Sequence, residues 1–69
     1  MEIIIGERLK ELLRDEGISQ GKLAAEIGVN TATVGSWVSG RTWPRIDSLW
    51  KLAEYFMVNI DYLVGKKEY

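Results

Sequence analysis

The sequence has 69 residues, with nine basic and ten acidic side chains, no histidine and no cysteine, and its formal net charge is −1. A chain of this length forms one domain, and the missing residue types exclude a disulfide, a Cys/His zinc site and a Cys or His catalyst. No apolar run approaches the roughly 18 residues of a membrane span and no signal-peptide pattern is present, so we expect a cytoplasmic domain.

The charges are distributed unevenly along the chain. Residues 17–46 carry Lys22, Arg41 and Arg45 against Glu26 alone, whereas the segments on both sides are net negative. Residues 27–40 contain no charged side chain. An interaction with a polyanion would therefore depend on the middle of the chain.

Three helices are predicted in the first forty residues, and each one ends at a glycine. The inward apolar side chains of the first helix, residues 6–16, are Ile5, Leu9, Leu12 and Leu13. Ser19 and Asn30 are favourable N-caps for the second and third helices, because their side-chain oxygens accept from free backbone N–H groups. Glycine adopts the left-handed conformation that closes a helix. The predicted ends are Gly17, Gly28 and Gly40.

Two more helices are predicted after Trp43-Pro44, which is extended because the residue before a proline avoids the α region. The predicted inward stripe of the fourth helix is Ile46, Leu49, Trp50, Ala53 and Phe56. Asn59 is the predicted N-cap of a short fifth helix, which ends at Gly65. Short connections favour one all-α bundle of five helices over residues 1–65, followed by a frayed tail over residues 66–69.

The second and third helices with their short connection carry the functional signal. Ala24 is small where two steeply crossing helices approach, and Gly28 supplies the positive φ of the turn. Residues 19–30 resemble the helix-turn-helix of Cro and phage-repressor DNA-binding domains. Residues 39–44 and 52–65 resemble the following loop and the last two helices of that family. The resemblance, over about residues 4–65, implies a compact five-helix bundle whose third helix lies in the DNA major groove.

This resemblance implies two sets of contacts with double-stranded DNA. The base-contacting positions, at the start of the third helix and one turn later, are Thr31, Ala32, Thr33 and Ser36. The predicted contacts with the DNA backbone are Ser19, Gln20, Lys22, Asn30, Arg41, Trp43 and Arg45. Hydroxyl and methyl groups can reach base edges, and the free N–H groups of a helix N-terminus favour phosphate.

Several residues depart from the family pattern. Leu13 and Val38 stand where many relatives have an ion pair, and an apolar pair there is compatible with the fold. Met57 replaces the usual Gly or Asn, which predicts a distorted helix end. The third helix has no Arg, Lys, Gln or Glu, so modest specificity biased to A·T pairs or DNA shape is expected. Gly35 costs about 1 kcal/mol against alanine and leaves room for DNA or a neighbouring helix.

Each of the three tryptophans can be interpreted as a residue that packs on the core rather than as one that contacts DNA. Trp37 and Trp50 lie on predicted inward stripes and are expected in the core. Trp43 either packs at the edge of the core, which we favour, or lies against a sugar-phosphate strand. Lys22 is interpreted in two ways as well, as part of a solvated face or as a DNA contact.

The resemblance also implies that two copies bind a pseudo-palindromic operator as a weak homodimer. The predicted dimer contacts are Val58, Ile60, Tyr62 and Tyr69. We expect a bacterial or phage-encoded transcriptional regulator, most simply a repressor that occupies a promoter, with no enzymatic activity, cofactor or metal. The alternatives are an antitoxin-type or other protein-interaction module, in which DNA binding is secondary, and a restriction–modification controller protein.

Overall fold

The computed structural model describes residues 3–66, and within them the chain forms five α-helices and no strand. The helices are α1 (Ile5–Glu16), α2 (Gln20–Ile27), α3 (Thr31–Ser39), α4 (Ile46–Phe56) and α5 (Ile60–Val64). The predicted all-α, five-helix architecture is confirmed, with α1 beginning one residue earlier than predicted. Lys66, in the predicted tail, still donates its backbone N–H to Asp61 O at 2.8 Å. Residues 67–69, with the predicted contact of Tyr69, lie outside the described residues.

Side-chain caps begin α2 and α3, as predicted. Ser19 Oγ accepts from the backbone N–H of Lys22 at 3.0 Å, and Asn30 Oδ1 accepts from that of Thr33 at 2.8 Å. These bonds satisfy N–H groups that have no partner inside the helix. Asn59 stands at the predicted N-cap position of α5, but the predicted cap is wrong in its chemistry, because the Asn59 side chain makes no cap hydrogen bond. The predicted glycine ends are confirmed at Gly17, Gly28, Gly40 and Gly65.

The core lies where α1, α2 and α3 meet α4 and α5, and among the described residues it is entirely apolar. Its buried members are Ile5, Leu9, Leu13, Leu23, Ala24, Ile27, Val34, Trp37, Leu52, Phe56 and Leu63. Val38 is partly buried against the same cluster, so both apolar substitutes for the family's ion pair pack on the core. Burial of apolar area, with no buried charge to desolvate, therefore stabilises this fold.

The backbones of α1 and α3 approach so closely that one position requires glycine. A Cβ added to Gly6 would lie 2.7 Å from Val38 O and 2.8 Å from Trp37 O. Both oxygens belong to the backbone, so they cannot move aside without shifting the end of α3. Gly6 therefore sets the distance between the two helices.

The predicted inward stripe of α4 is partly wrong. Ile46 is 76% exposed and Trp50 is 61% exposed, so neither belongs to the core. The buried side of the helix instead carries Leu52 and Phe56, with Leu49 partly buried beside them. Apolar residues occupy more than one side of α4, and periodicity alone does not say which side faces the core. The result is an exposed apolar face on α4.

The loop between α3 and α4 buries its proline and exposes its tryptophan. Pro44 is buried, whereas Trp43 is 61% exposed. One side of Trp43 borders a shallow apolar groove that is lined by Ile3, Ile5, Trp43, Pro44, Leu49 and Val64. Trp43 therefore contacts the edge of the core while most of its surface stays in solvent.

A methionine ends α4 in a conformation that glycine usually adopts. Met57 has φ 58° and ψ 47°, and its N–H points to the carbonyls of Ala53 and Glu54. The predicted distortion of this helix end is wrong, because the cap has regular left-handed geometry. The Cβ of Met57 carries the steric cost instead, and its side chain is 89% exposed, so packing does not offset that cost.

We expect Met57→Gly to raise the free energy of unfolding by about 1 kcal/mol, because glycine adopts this conformation without a Cβ clash. Gly17→Ala is the matched control at another helix end, and it should lower the same quantity by about 1 kcal/mol. Urea denaturation followed by circular dichroism measures both. A Met57→Gly variant no more stable than the parent would contradict the strain at this residue.

Gly6→Ala should lower the free energy of unfolding by about 2 kcal/mol, although alanine favours a helix, because the added Cβ forces α1 away from α3. Gly21→Ala is the matched control in α2, where the new Cβ would meet only side-chain oxygens at 3.7 and 3.8 Å. That variant should be as stable as the parent or slightly more so. Equal effects of the two substitutions in the same denaturation assay would show that α1 and α3 are not in close contact.

Candidate nucleic-acid interface

The helix α3 has a buried apolar side and an accessible side of small residues. Val34 is fully buried and Trp37 is 3% exposed, which confirms the core position of that tryptophan. The exposed or half-exposed residues on the other sides include Thr31, Ala32, Thr33, Gly35, Ser36 and Ser39. None of them is charged or long, so a flat or grooved partner can approach the helix backbone closely. All four predicted base-contacting residues lie on this accessible part of α3.

The hydroxyl groups on α3 differ in what they can offer a ligand. Thr33 Oγ1 donates to Asn30 Oδ1 at 2.8 Å, so its hydrogen is used in the helix cap and only its acceptor capacity remains. Within residues 3–66, no hydrogen bond engages the side chains of Thr31 or Ser36. These two hydroxyl groups can therefore both donate and accept at a base edge.

The first turns of α2 and α3 lie side by side. A Cβ built at Gly21 would stand 3.8 Å from Ser19 Oγ and 3.7 Å from Thr31 Oγ1, which places the starts of both helices within one small region. The side chain of Gln20 reaches across to α3, since its Oε1 is 3.4 Å from the Cβ position of Gly35. Two helix N-termini with free N–H groups make this region favourable for an anion such as a phosphate.

The three predicted cationic contacts are not equivalent. Lys22 Nζ lies 3.4 Å from Glu26 Oε2, so its charge is paired one turn along α2. Arg41 and Arg45 are exposed, and neither forms an ion pair within residues 3–66. The positive potential beside α3 therefore comes mainly from the loop between α3 and α4.

A groove of about 360 Å³ brings several predicted contact residues together. It lies between the start of α3 and the start of α4, and its lining is Val29, Thr33, Trp37, Trp43, Arg45, Asp47 and Ser48. Thr33, Trp43 and Arg45 thus share one surface. Ser19, Gln20 and Lys22 belong instead to the start of α2.

One accessible residue of α3, Ser39, was missed as a contact candidate from the sequence, whereas Gly35 was noted only for the room that it leaves. Ser39 lies seven residues after Ala32 and three after Ser36, so helical spacing places it on the same side of α3. Its hydroxyl donates to Ser36 O at 3.1 Å, at the end of the helix. Gly35 lies between these positions on that side, and its contact with Gln20 has no signal in the sequence.

Two other types of site were considered for the described part of the chain, a metal centre and a membrane span. Residues 3–66 contain no group of three or more His, Cys, Asp or Glu residues that could hold a metal ion. None of the helices in that range is long and apolar enough to cross a bilayer.

Residues 9–63 match the sequence model of a family described as helix-turn-helix. The chain is 31% identical to the HTH-type transcriptional activator BcrR of Enterococcus faecalis, over 90% of this chain and 30% of that protein. It is also 31% identical to the HTH-type transcriptional regulator ImmR of Bacillus subtilis, over 93% of this chain and 50% of that protein. The chain thus spans half or less of the length of these two relatives.

Solved structures resemble the whole described fold. A transcriptional regulator from Listeria innocua matches with a TM-score of 0.90 and 37% identity, over 94% of this chain and 61% of that chain. The P22 c2 repressor, in complex with a synthetic operator, matches with a TM-score of 0.87 and 25% identity, over 93% of this chain and 97% of that chain. The N-terminal DNA-binding domain of SinR from Bacillus subtilis matches with a TM-score of 0.82 and 27% identity, over 94% of this chain and 96% of that chain.

Proposed function

Because this chain belongs to the helix-turn-helix family, we propose that it is a sequence-specific double-stranded DNA-binding transcription regulator in the cytoplasm of a bacterium. The observation that carries the proposal is the exposed, uncharged side of α3, which two unpaired arginines flank in the following loop. A helix of this kind fits the major groove, while the arginines reach the phosphates on its rim. The regulator acts most simply as a repressor that occupies a promoter, with no covalent chemistry and no cofactor.

Contacts with the DNA backbone fix the protein on the duplex in this proposal. Arg41 and Arg45 bind phosphates by charge, and the adjacent starts of α2 and α3 bind them through backbone N–H groups. Trp43 and Arg45 line one groove, so they reach the same strand together. Lys22 contributes less than the arginines, because Glu26 pairs with it.

Base reading in this proposal depends on short side chains. The hydroxyl groups of Thr31 and Ser36 donate or accept at base edges, and the methyl group of Ala32 contacts a thymine methyl. Thr33 serves as an acceptor, since its hydrogen is held by Asn30. No side chain on α3 makes the two-pronged contact of arginine with guanine, so the operator is expected to be rich in A·T pairs.

Thr31→Asp tests whether α3 contacts DNA. Because a carboxylate in the first turn of a helix favours the helix, the variant should fold as well as the parent. The same carboxylate repels phosphates, so the variant should bind at least about a hundredfold more weakly to a duplex selected from a random library at low salt. Fluorescence anisotropy on that duplex measures the Kd.

Thr31→Asn is the matched neutral control, since it has nearly the same shape as the aspartate without its charge. It should fold equally well and lose far less affinity. If the Thr31→Asp variant selects the same duplexes and binds them with the parent's affinity, the proposed placement of α3 in the major groove is refuted. A parent that enriches no duplex would instead favour the protein-interaction module in which DNA binding is secondary.

A homodimer on a pseudo-palindromic operator belongs to the same proposal. Val58 and Ile60, both predicted contacts, line a groove of about 260 Å³ whose other members are Trp50, Ala53, Glu54 and Asn59. Trp50 extends this surface with its exposed indole ring, which the sequence had placed in the core. We therefore place the second copy on the face formed by Trp50, Ala53, Val58 and Ile60, called the α4 face below.

Tyr62, the other predicted contact within the described residues, has a different environment. Its ring lies under the guanidinium group of Arg8 at 4.6 Å, and its carbonyl accepts from Arg8 Nε at 3.1 Å. Tyr62 is half-buried by these contacts, which connect α5 with α1. It therefore stabilises the position of α5 rather than forming the centre of the α4 face.

Trp50→Glu tests the α4 face. Burying a further carboxylate in a groove that Glu54 already lines is unfavourable, because the new carboxylate loses its hydration and meets a like charge. The variant should therefore weaken dimerisation by about a hundredfold or more. Sedimentation equilibrium of the free protein measures the association constant. Ala25→Glu, at an exposed position of α2, is the control for added negative charge and should leave dimerisation unchanged. A parent that remains monomeric both free and on the selected duplex would refute the homodimer.

A further inference from the structure

Gly35 occupies the middle of α3 although the fold does not require a glycine there. The φ angle of Gly35 is not positive, unlike the φ angles of the glycines at the helix ends. A Cβ at this position would meet no backbone atom of another helix, unlike one at Gly6. Glycine is less favourable in a helix interior than every residue except proline, so alanine would strengthen α3. The position is distinguished instead by a side chain of another helix that lies over it.

That side chain belongs to Gln20. Its Oε1 stands 3.4 Å from the Cβ position of Gly35 and is the single atom of another element within 4 Å of it among the described residues. Gln20 is the half-buried first residue of α2. Its carboxamide group therefore reaches from α2 onto the accessible side of α3.

We propose that Gly35 is a positioning residue, which leaves open the space in which the carboxamide of Gln20 rests against α3 and contacts the operator. The inference rests on the proposed DNA binding. Position 35 follows Thr31 by one turn and precedes Ser39 by one turn, on the side that faces DNA. A carboxamide both donates and accepts, so it can bind an adenine edge or a phosphate. Gln20 thus supplies the long polar group that α3 lacks.

A leucine at position 35 should displace the carboxamide of Gln20, whereas an alanine should leave it in place. The Cβ of an alanine touches the carboxamide at van der Waals distance, whereas a leucine occupies the space where the carboxamide lies. Both residues favour a helix more than glycine does. For Gly35→Leu, the free energy of unfolding should therefore rise while DNA affinity falls, which a damaged fold could not produce.

The experiment compares Gly35→Ala and Gly35→Leu with the parent, on the duplex that the parent selects from a random library. Gly35→Ala should raise Tm by about 4 °C. Affinity should stay close to that of the parent for Gly35→Ala and fall by about tenfold or more for Gly35→Leu. The base preference of the leucine variant should relax at one position of each half-site, because a single reading group is displaced.

The same substitutions in a Gln20→Ala background are the control for direct contact between residue 35 and DNA. If residue 35 acts through Gln20, neither substitution should weaken binding further in that background. Equal losses with and without Gln20 would mean that the new side chain collides with DNA itself, and this result would overturn the proposal. Unchanged affinity and base preference for Gly35→Leu would overturn it as well.

A measurement without DNA keeps this proposal separate from the proposed function. In the free protein, the side-chain amide protons of Gln20 should show nuclear Overhauser contacts with the α-protons of Gly35. In the Gly35→Leu variant, the same amide protons should show no such contacts with residue 35, because the leucine displaces the carboxamide. Absence of these contacts in the parent would overturn the positioning role even if DNA binds. Their presence in a protein that selects no duplex would show that the proposed function, and with it the role in DNA recognition, has failed.

Discussion

The attachment of α3 to α1 and α2 is the constraint on which the rest of the molecule depends. A helix of nine residues is too short to be stable alone in water, so α3 persists because Val34 and Trp37 are buried. Gly6 allows the backbone of α1 to come close to the far end of α3. Side chains on the accessible side of α3 are thus held in place by contacts on its opposite side. A change in the core would move the accessible side of α3 without touching it.

Overall acidity and a surface suited to DNA are compatible because the charges are arranged locally. Exposed charges interact over about 8 Å at physiological salt, so distant acidic residues have little influence at α3. Asp47 is an exception, because it lines the same groove as Thr33 and Arg45 and lowers the positive potential there. The accessible side of α3 is uncharged, and Arg41 and Arg45 stand beside it without acidic partners among residues 3–66. The net charge of a small domain is therefore a poor guide to the ligand of one of its faces.

Much of this fold could be predicted because its signals are local in the sequence. The caps at Ser19 and Asn30 and the glycines that end the helices depend on neighbouring residues alone, and the family match agrees with the resemblance to Cro and phage repressors. The exposure of Trp50 could not be predicted, because apolar residues surround α4 and only tertiary packing selects its buried side. The contact of Gln20 with Gly35 likewise depends on how α2 crosses α3. DNA contacts of the individual residues stay predictions.

Because the core is purely apolar, folding and DNA association are expected to respond differently to salt. Because no polar or charged side chain is buried among residues 3–66, ionic strength acts on folding only through surface charges, whose contributions are small. Apolar burial responds instead to temperature and weakens on cooling. DNA association releases counterions and is controlled by salt. A rise in salt would therefore dissociate the proposed complex and leave the free protein folded and ready to bind again.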